Sequence, residues 1–115
     1  MAAMRDLQPI IDDIVAFRDE RDWRQFHNPK DLAISISLEA AELLEVFQWS
    51  GADTSAEGRE DKIREELADV LIYCLLLSDA VGVDPLEIME DKLKVNREKY
   101  PVDAARSNAR KYMEL

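Results

Sequence analysis

Glu39, Glu42 and Glu45, and further along Glu65, Glu66 and Asp69, are acids set among Ala, Leu and Val. On an α-helix, residues three or four apart are neighbours, with Cβ atoms about 5–6 Å apart. Glu39 and Glu42 therefore share a face, as do Glu42 and Glu45, and Glu66 and Asp69. The polar segment between the two clusters holds Gly51 and Gly58. Two helices joined by such a segment are expected to run antiparallel with their carboxylates facing each other. Carboxylates gathered beside a core are costly unless a cation neutralises them. An all-oxygen donor set selects a hard cation, Mg²⁺ or Mn²⁺ rather than Zn²⁺. In phosphate chemistry such an ion neutralises the substrate and lowers the pKa of a water. A further carboxylate beside it can hold that water or take its proton. A single E-x-x-E is common on solvated helices, and Glu65 is expected at the surface. Two such pairs flanked tightly by apolar residues carry the reading of a Mg²⁺ site.

Four helices are expected to position these acids. The first covers residues 6–21, with Ile10, Ile11, Ile14, Val15 and Phe17-Arg18 on its apolar face, Pro9 in its first turn, and Asp12, Asp13, Asp19 and Glu20 on its wet side. Residues 22–28 break the pattern with Trp23, Arg24, Gln25, Phe26 and the only histidine, His27. Trp23 and Phe26 either plug one end of a bundle or present a binding surface. Asn28-Pro29-Lys30-Asp31 is a helix start, opening a second helix that is expected to reach Trp49. Its core stripe is Leu32, Ile36, Leu43, Leu44 and Phe47. The third helix is expected from Arg59 to Val81 and is apolar nearly all round at Leu71, Ile72, Leu75 and Leu76. Burying such a helix on every side is hard in a small monomer, so an oligomer is expected with this helix at its interface. Gly82 then caps it, Asp84-Pro85-Leu86-Glu87 opens a fourth helix, and Pro101 follows Tyr100 at its end. Residues 102–115 form a basic, weakly periodic tail.

The chain has 115 residues with 3 Gly, which suits one all-α domain over residues 1–115. The net charge of −10 argues against a general nucleic-acid binder, though not against a nucleotide bridged by a metal. Cys74 stands alone, so no internal disulfide is possible, and a reduced core cysteine is expected. The start of the chain lacks a signal-peptide pattern and no run spans a bilayer, so a soluble, cytoplasmic protein without a membrane partner is expected. A carboxylate di-iron bundle needs E-x-x-H motifs that one histidine cannot supply. Neither a Ser/His/Asp or Cys/His constellation nor a glycine-rich phosphate loop is present.

The spacing Glu39-x-x-Glu42 with Glu66-x-x-Asp69 resembles the signature of the MazG-like all-α nucleoside triphosphate pyrophosphohydrolases, and most closely their dCTP pyrophosphatase branch. Arg21 to His27, Glu39 to Trp49, Glu65 to Tyr73, and Asn96 through Tyr112 carry the resemblance, which covers almost the whole chain. It implies cleavage between the α and β phosphates of a nucleoside triphosphate, with Mg²⁺ as cofactor and nucleotide-pool cleaning as the role. Carried over by position, Glu39, Glu42, Glu66 and Asp69 look like metal ligands, with Glu45 as a further catalytic residue. Trp23, Arg24, Gln25, Phe26, His27 and Trp49 look like the nucleoside pocket, and Tyr73 like a substrate contact. Lys92, Asn96 and Arg97 look like phosphate contacts. The family assembles as dimers or tetramers with sites built by more than one subunit. Leu38 stands where the fuller acidic motif has Glu, and Ile14 where dCTP-type members have histidine; the loop between the acidic pairs is shorter. The rival expectations are the same fold acting on dUTP or a damaged nucleotide, and a non-catalytic acidic helical adaptor.

Overall fold

The structure, a computed structural model, describes residues 6–114, with Tyr112 described by its backbone alone. Among the described residues it contains helices and turns only: α1 (Gln8–Glu20), α2 (Pro29–Glu45), α3 (Glu60–Val81), α4 (Pro85–Lys99) and the short α5 (Val102–Ala105), with single 3₁₀ turns at Arg24–Phe26 and Tyr112–Glu114. The all-α expectation holds. The chain divides after Gly82 into two compact units, α1 to α3 in the first and α4 with α5 in the second.

Local chemistry sets the boundaries. The Asn28 side chain accepts a hydrogen bond from the Asp31 backbone N–H at 2.8 Å and Pro29 fills the first helical position, so α2 starts where expected. Asp84 accepts from Leu86 N–H at 2.9 Å and starts α4 in the same way. Gly82, at φ 70°, takes the left-handed conformation that ends α3. The second helix ends at Glu45 rather than Trp49. From Val46 the backbone tightens, with Val46, Phe47 and Gln48 N–H donating to carbonyls three residues back. Aspartate at position 22 sits at φ 55°, and Trp23 N–H returns to Arg18 O at 3.1 Å. This closes α1 and folds Trp23 back over Phe17, ring centroids 5.7 Å apart.

In the first unit α2 packs along α3, and α1 lies against α3. The shared core is small: Ile14 of α1, Leu32 of α2 and Leu76 of α3 are buried, with Tyr73, Leu75 and Leu77 packed against them. The expected stripe of α2 is only partly inside. Leu44, in the last turn of α2, is exposed. On α3, Leu67, Leu71 and Ile72 are exposed in the single chain, so the all-round burial expected of this helix is not met within one subunit. The tail is more regular than its sequence suggests, since α5 forms one helical turn after Pro101.

Candidate functional site

Antiparallel packing of α2 on α3 brings the two acidic pairs together. Glu39, Glu42, Glu66 and Asp69 each offer a carboxylate oxygen, and these four atoms lie within 4.8 Å of one another. Glu66 is 5% exposed, Glu39 and Asp69 are half-buried, and Glu42 is open to solvent. Glu39 Oε2 and Glu66 Oε2 are buried and have no hydrogen-bond partner. A buried carboxylate oxygen without a donor is costly. Two such atoms in one cluster of hard oxygen donors fit a divalent cation, and the fit rests on these orphaned atoms as well as on the acids.

The electrostatics agree. Glu39 and Glu66 crowd the Glu42 carboxyl, which is pushed up to about 7 because it shares its proton with them. Glu66 moves the other way. Burial alone would raise it, but Lys62 Nζ sits 2.9 Å from Glu66 Oε1 and holds it below the usual carboxylate range. Lys62 is mostly exposed, and its ammonium is the cation this chain supplies to Glu66.

A cavity of about 400 Å³ adjoins the cluster through Asp69. Its walls come from α1 (Asp13, Ile14, Phe17, Arg18), from the turn after it (Trp23, His27) and from α3 (Ile72, Tyr73, Leu76). The Arg21 guanidinium lies over the Phe17 ring, 3.7 Å from its centroid. His27 and Tyr73 meet edge to face at 6.4 Å. His27 Nδ1 is buried without a partner, and burial, with Arg18 nearby, pushes the imidazole below its ordinary pKa. His27 is therefore neutral at pH 7, able to donate from one nitrogen and accept at the other.

The structure gathers Trp23, His27 and Tyr73 around one cavity, with Asp69 at its edge. It leaves Arg24, Gln25, Phe26 and Trp49 outside that cavity. Gln25 is tied to Asp22 at 3.0 Å, Phe26 is 62% exposed, and Trp49 is 90% exposed. Glu45 lies outside the four-carboxylate group, beside Leu44, Phe47 and Gln48 on an open surface. Lys92, Asn96 and Arg97 lie on α4 in the second unit. Of the wall residues outside the expected site, two are charged: Asp13, on the expected wet side of α1, and Arg18, on its expected apolar face. An arginine inside an apolar stripe was the available signal for the second.

Facing carboxylate pairs beside a cavity with aromatic walls suit a divalent cation and a planar ligand. Residues 34–115 match the model of the MazG-like family. The chain is 40% identical to human (Homo sapiens) dCTP pyrophosphatase 1 over 118 residues, which covers 94% of this chain and 69% of that protein. Its identity to the rat (Rattus norvegicus) dCTP pyrophosphatase 1 is 38%, with the same coverage. Among solved structures, the crystal structure of a pyrophosphatase from Archaeoglobus fulgidus superposes with a TM-score of 0.78 at 41% identity, covering 88% of this chain and 97% of that one. The chain belongs to the MazG-like family.

Proposed function

We propose that this chain hydrolyses nucleoside triphosphates to the monophosphate and pyrophosphate with Mg²⁺, or Mn²⁺ in its place, and that dCTP or a modified dCTP is its preferred substrate. The observation that carries the reading is the shared position of Asp69, in the four-carboxylate group and in the wall of the aromatic cavity. The relatives named dCTP pyrophosphatase support the substrate.

Glu39, Glu42, Glu66 and Asp69 would hold the divalent cation, which would supply charge neutralisation for the phosphates and a lowered pKa for the attacking water. The chain's own residues do the rest. Trp23 offers a ring face to a base, an interaction worth about 1–3 kcal/mol. His27 and Tyr73 present polar edges at the same cavity. Tyr73 stands one helical turn beyond Asp69, so the cavity and the carboxylates are held in register by one helix. Glu45, one turn beyond Glu42 on α2, is the further carboxylate that takes the proton from water in this reading. Lys92, Asn96 and Arg97 serve as phosphate contacts. Arg24, Gln25, Phe26 and Trp49, exposed in the single chain, complete the nucleoside pocket. The whole chain acts as one functional domain in a cytoplasmic homodimer or homotetramer, with neither nucleic acid nor membrane as partner. The exposed Leu67 and Leu71 on α3 support the assembly, and among the described residues no helix is long and apolar enough to cross a membrane.

The test is a substrate panel with Mg²⁺, followed by ³¹P NMR. Release of pyrophosphate with dCTP turned over fastest is the expected result. Release of orthophosphate alone contradicts the reaction type, and a faster reaction with dUTP or an oxidised nucleotide moves the preference to that base.

A further inference from the structure

Arg18 is a cation buried inside the wall of the cavity. Only 4% of its surface is exposed. Burying a guanidinium requires partners, and two are present. Its Nε donates to Asp19 Oδ1 at 2.9 Å, and Nη1 donates to Asp79 Oδ2 at 2.9 Å, across from α1 to the end of α3. These bonds fix the plane of the guanidinium. Nη2 has no hydrogen-bond partner among the described residues, yet it is not among the buried polar atoms sealed from solvent. The side chain lines the cavity alongside His27 and Tyr73. The clamp between α1 and α3 is the Nη1–Asp79 bond alone, since Asp19 lies on α1 itself. Three N–H donors remain, one on Nη1 and two on Nη2, with the group held by two carboxylates.

We propose that Arg18 is a specificity residue that reads the base, donating from Nη2 to a carbonyl oxygen of the bound nucleotide. Guanidinium has donors and no acceptor. Cytosine, uracil, thymine and guanine each present a carbonyl oxygen projecting from the ring; adenine projects an amino donor, and its acceptors are nitrogens within the ring, set back from a donor held at the distance of a carbonyl oxygen. A donor fixed in a half-enclosed cavity rejects a base that leaves it unpaired. The unpartnered His27 Nδ1 in the same cavity supplies a second polar contact, which either a donor or an acceptor on the base can meet. This assignment rests on the nucleotide reading of the cavity.

The experiment separates the two. Binding of dCMP and dAMP is measured by calorimetry without metal, and hydrolysis of dCTP and dATP with Mg²⁺, for wild type, R18M and R18K. A lost charge-assisted hydrogen bond predicts that R18M weakens dCMP binding and dCTP kcat/KM roughly 10- to 100-fold, with dAMP and dATP changed by less than about threefold. R18K is expected to recover part of the loss. If R18M weakens both nucleotides by one factor, or neither, Arg18 is only a clamp and the assignment is overturned. Because R18M also removes the Asp79 pair, the wild type gives an independent readout. The ¹⁵N side-chain NMR signals of Arg18 are expected to shift with dCMP and to stay in place with dAMP; equal shifts or none overturn the assignment. Discrimination in binding without any hydrolysis would sink the proposed reaction and leave Arg18 standing. Hydrolysis of dCTP with the discrimination intact in R18M would do the reverse.

Discussion

Glu42 stands beside Glu39 on α2 and faces Glu66 across the α2–α3 seam, and this neighbourhood sets how the site answers to pH. With its carboxyl raised to about 7, the metal-free protein keeps Glu42 protonated in mildly acidic solution. A cation must displace that proton, so divalent-ion affinity is expected to fall about tenfold per pH unit below about 7 and to level off above it. Calorimetric Mn²⁺ titrations from pH 5.5 to 8.5 check this, and E42Q should bind more weakly with the slope removed. The sign for folding is opposite. The unfolded carboxyl titrates near its model value of 4.5, so between that pH and about 7 the metal-free fold holds the extra proton and loses stability as pH rises. Lys62 is the internal competitor. K62M is expected to lower the melting temperature of the metal-free protein and to raise its apparent Mg²⁺ affinity about twofold, the size of an exposed i,i+4 ion pair. The four acids were legible in sequence because their spacing and apolar flanks are local. Lys62 and Arg18 were not. Lysine at position 62 gains meaning only from the burial of Glu66, and Arg18 from Asp79, a residue 61 positions away.

At the scale of elements, Leu32 ties the bundle together, since it is 1% exposed where α1, α2 and α3 meet. Replacing it with alanine is expected to cost about 2–5 kcal/mol in a denaturant titration. Because α2 and α3 then lose their register, metal-induced stabilisation should fall with it. Helix starts were readable from Asn28-Pro29 and Asp84-Pro85, whose capping chemistry is written in adjacent residues. The end of α2 was misread because Val46, Phe47 and Trp49 continue the apolar period past the point where the backbone tightens. Periodicity reports which side chains want burial and does not report where hydrogen bonds change from four residues to three. Leu44 was misplaced for a related reason: a stripe on a helix is wider than the one neighbour that covers it.

For the whole molecule, the small core and the exposed Leu67 and Leu71 of α3 leave apolar surface that a single chain does not cover. Light scattering is expected to give a mass that is twice or four times that of the chain, and L71E to lower it; a wild-type monomer at working concentration contradicts the assembly. The apolar breadth of α3 is the sequence feature behind this expectation, and no spacing rule says which of its residues would meet a second copy. The all-helical class and the family were legible because they rest on composition and on motifs spread over almost the whole chain. Base choice was not, because it depends on cavity walls brought together from α1, the turn after it and α3. The central claim is that the facing carboxylates hold the cation that supports hydrolysis. Its most direct measurement is Mg²⁺-dependent turnover of dCTP alongside Mg²⁺-induced thermal stabilisation, in wild type, E42Q and D69N. The expected result is dCMP and pyrophosphate from the wild type, with both turnover and stabilisation lost in folded E42Q and D69N. Full turnover in either variant, or stabilisation by Mg²⁺ that survives both substitutions, would contradict it.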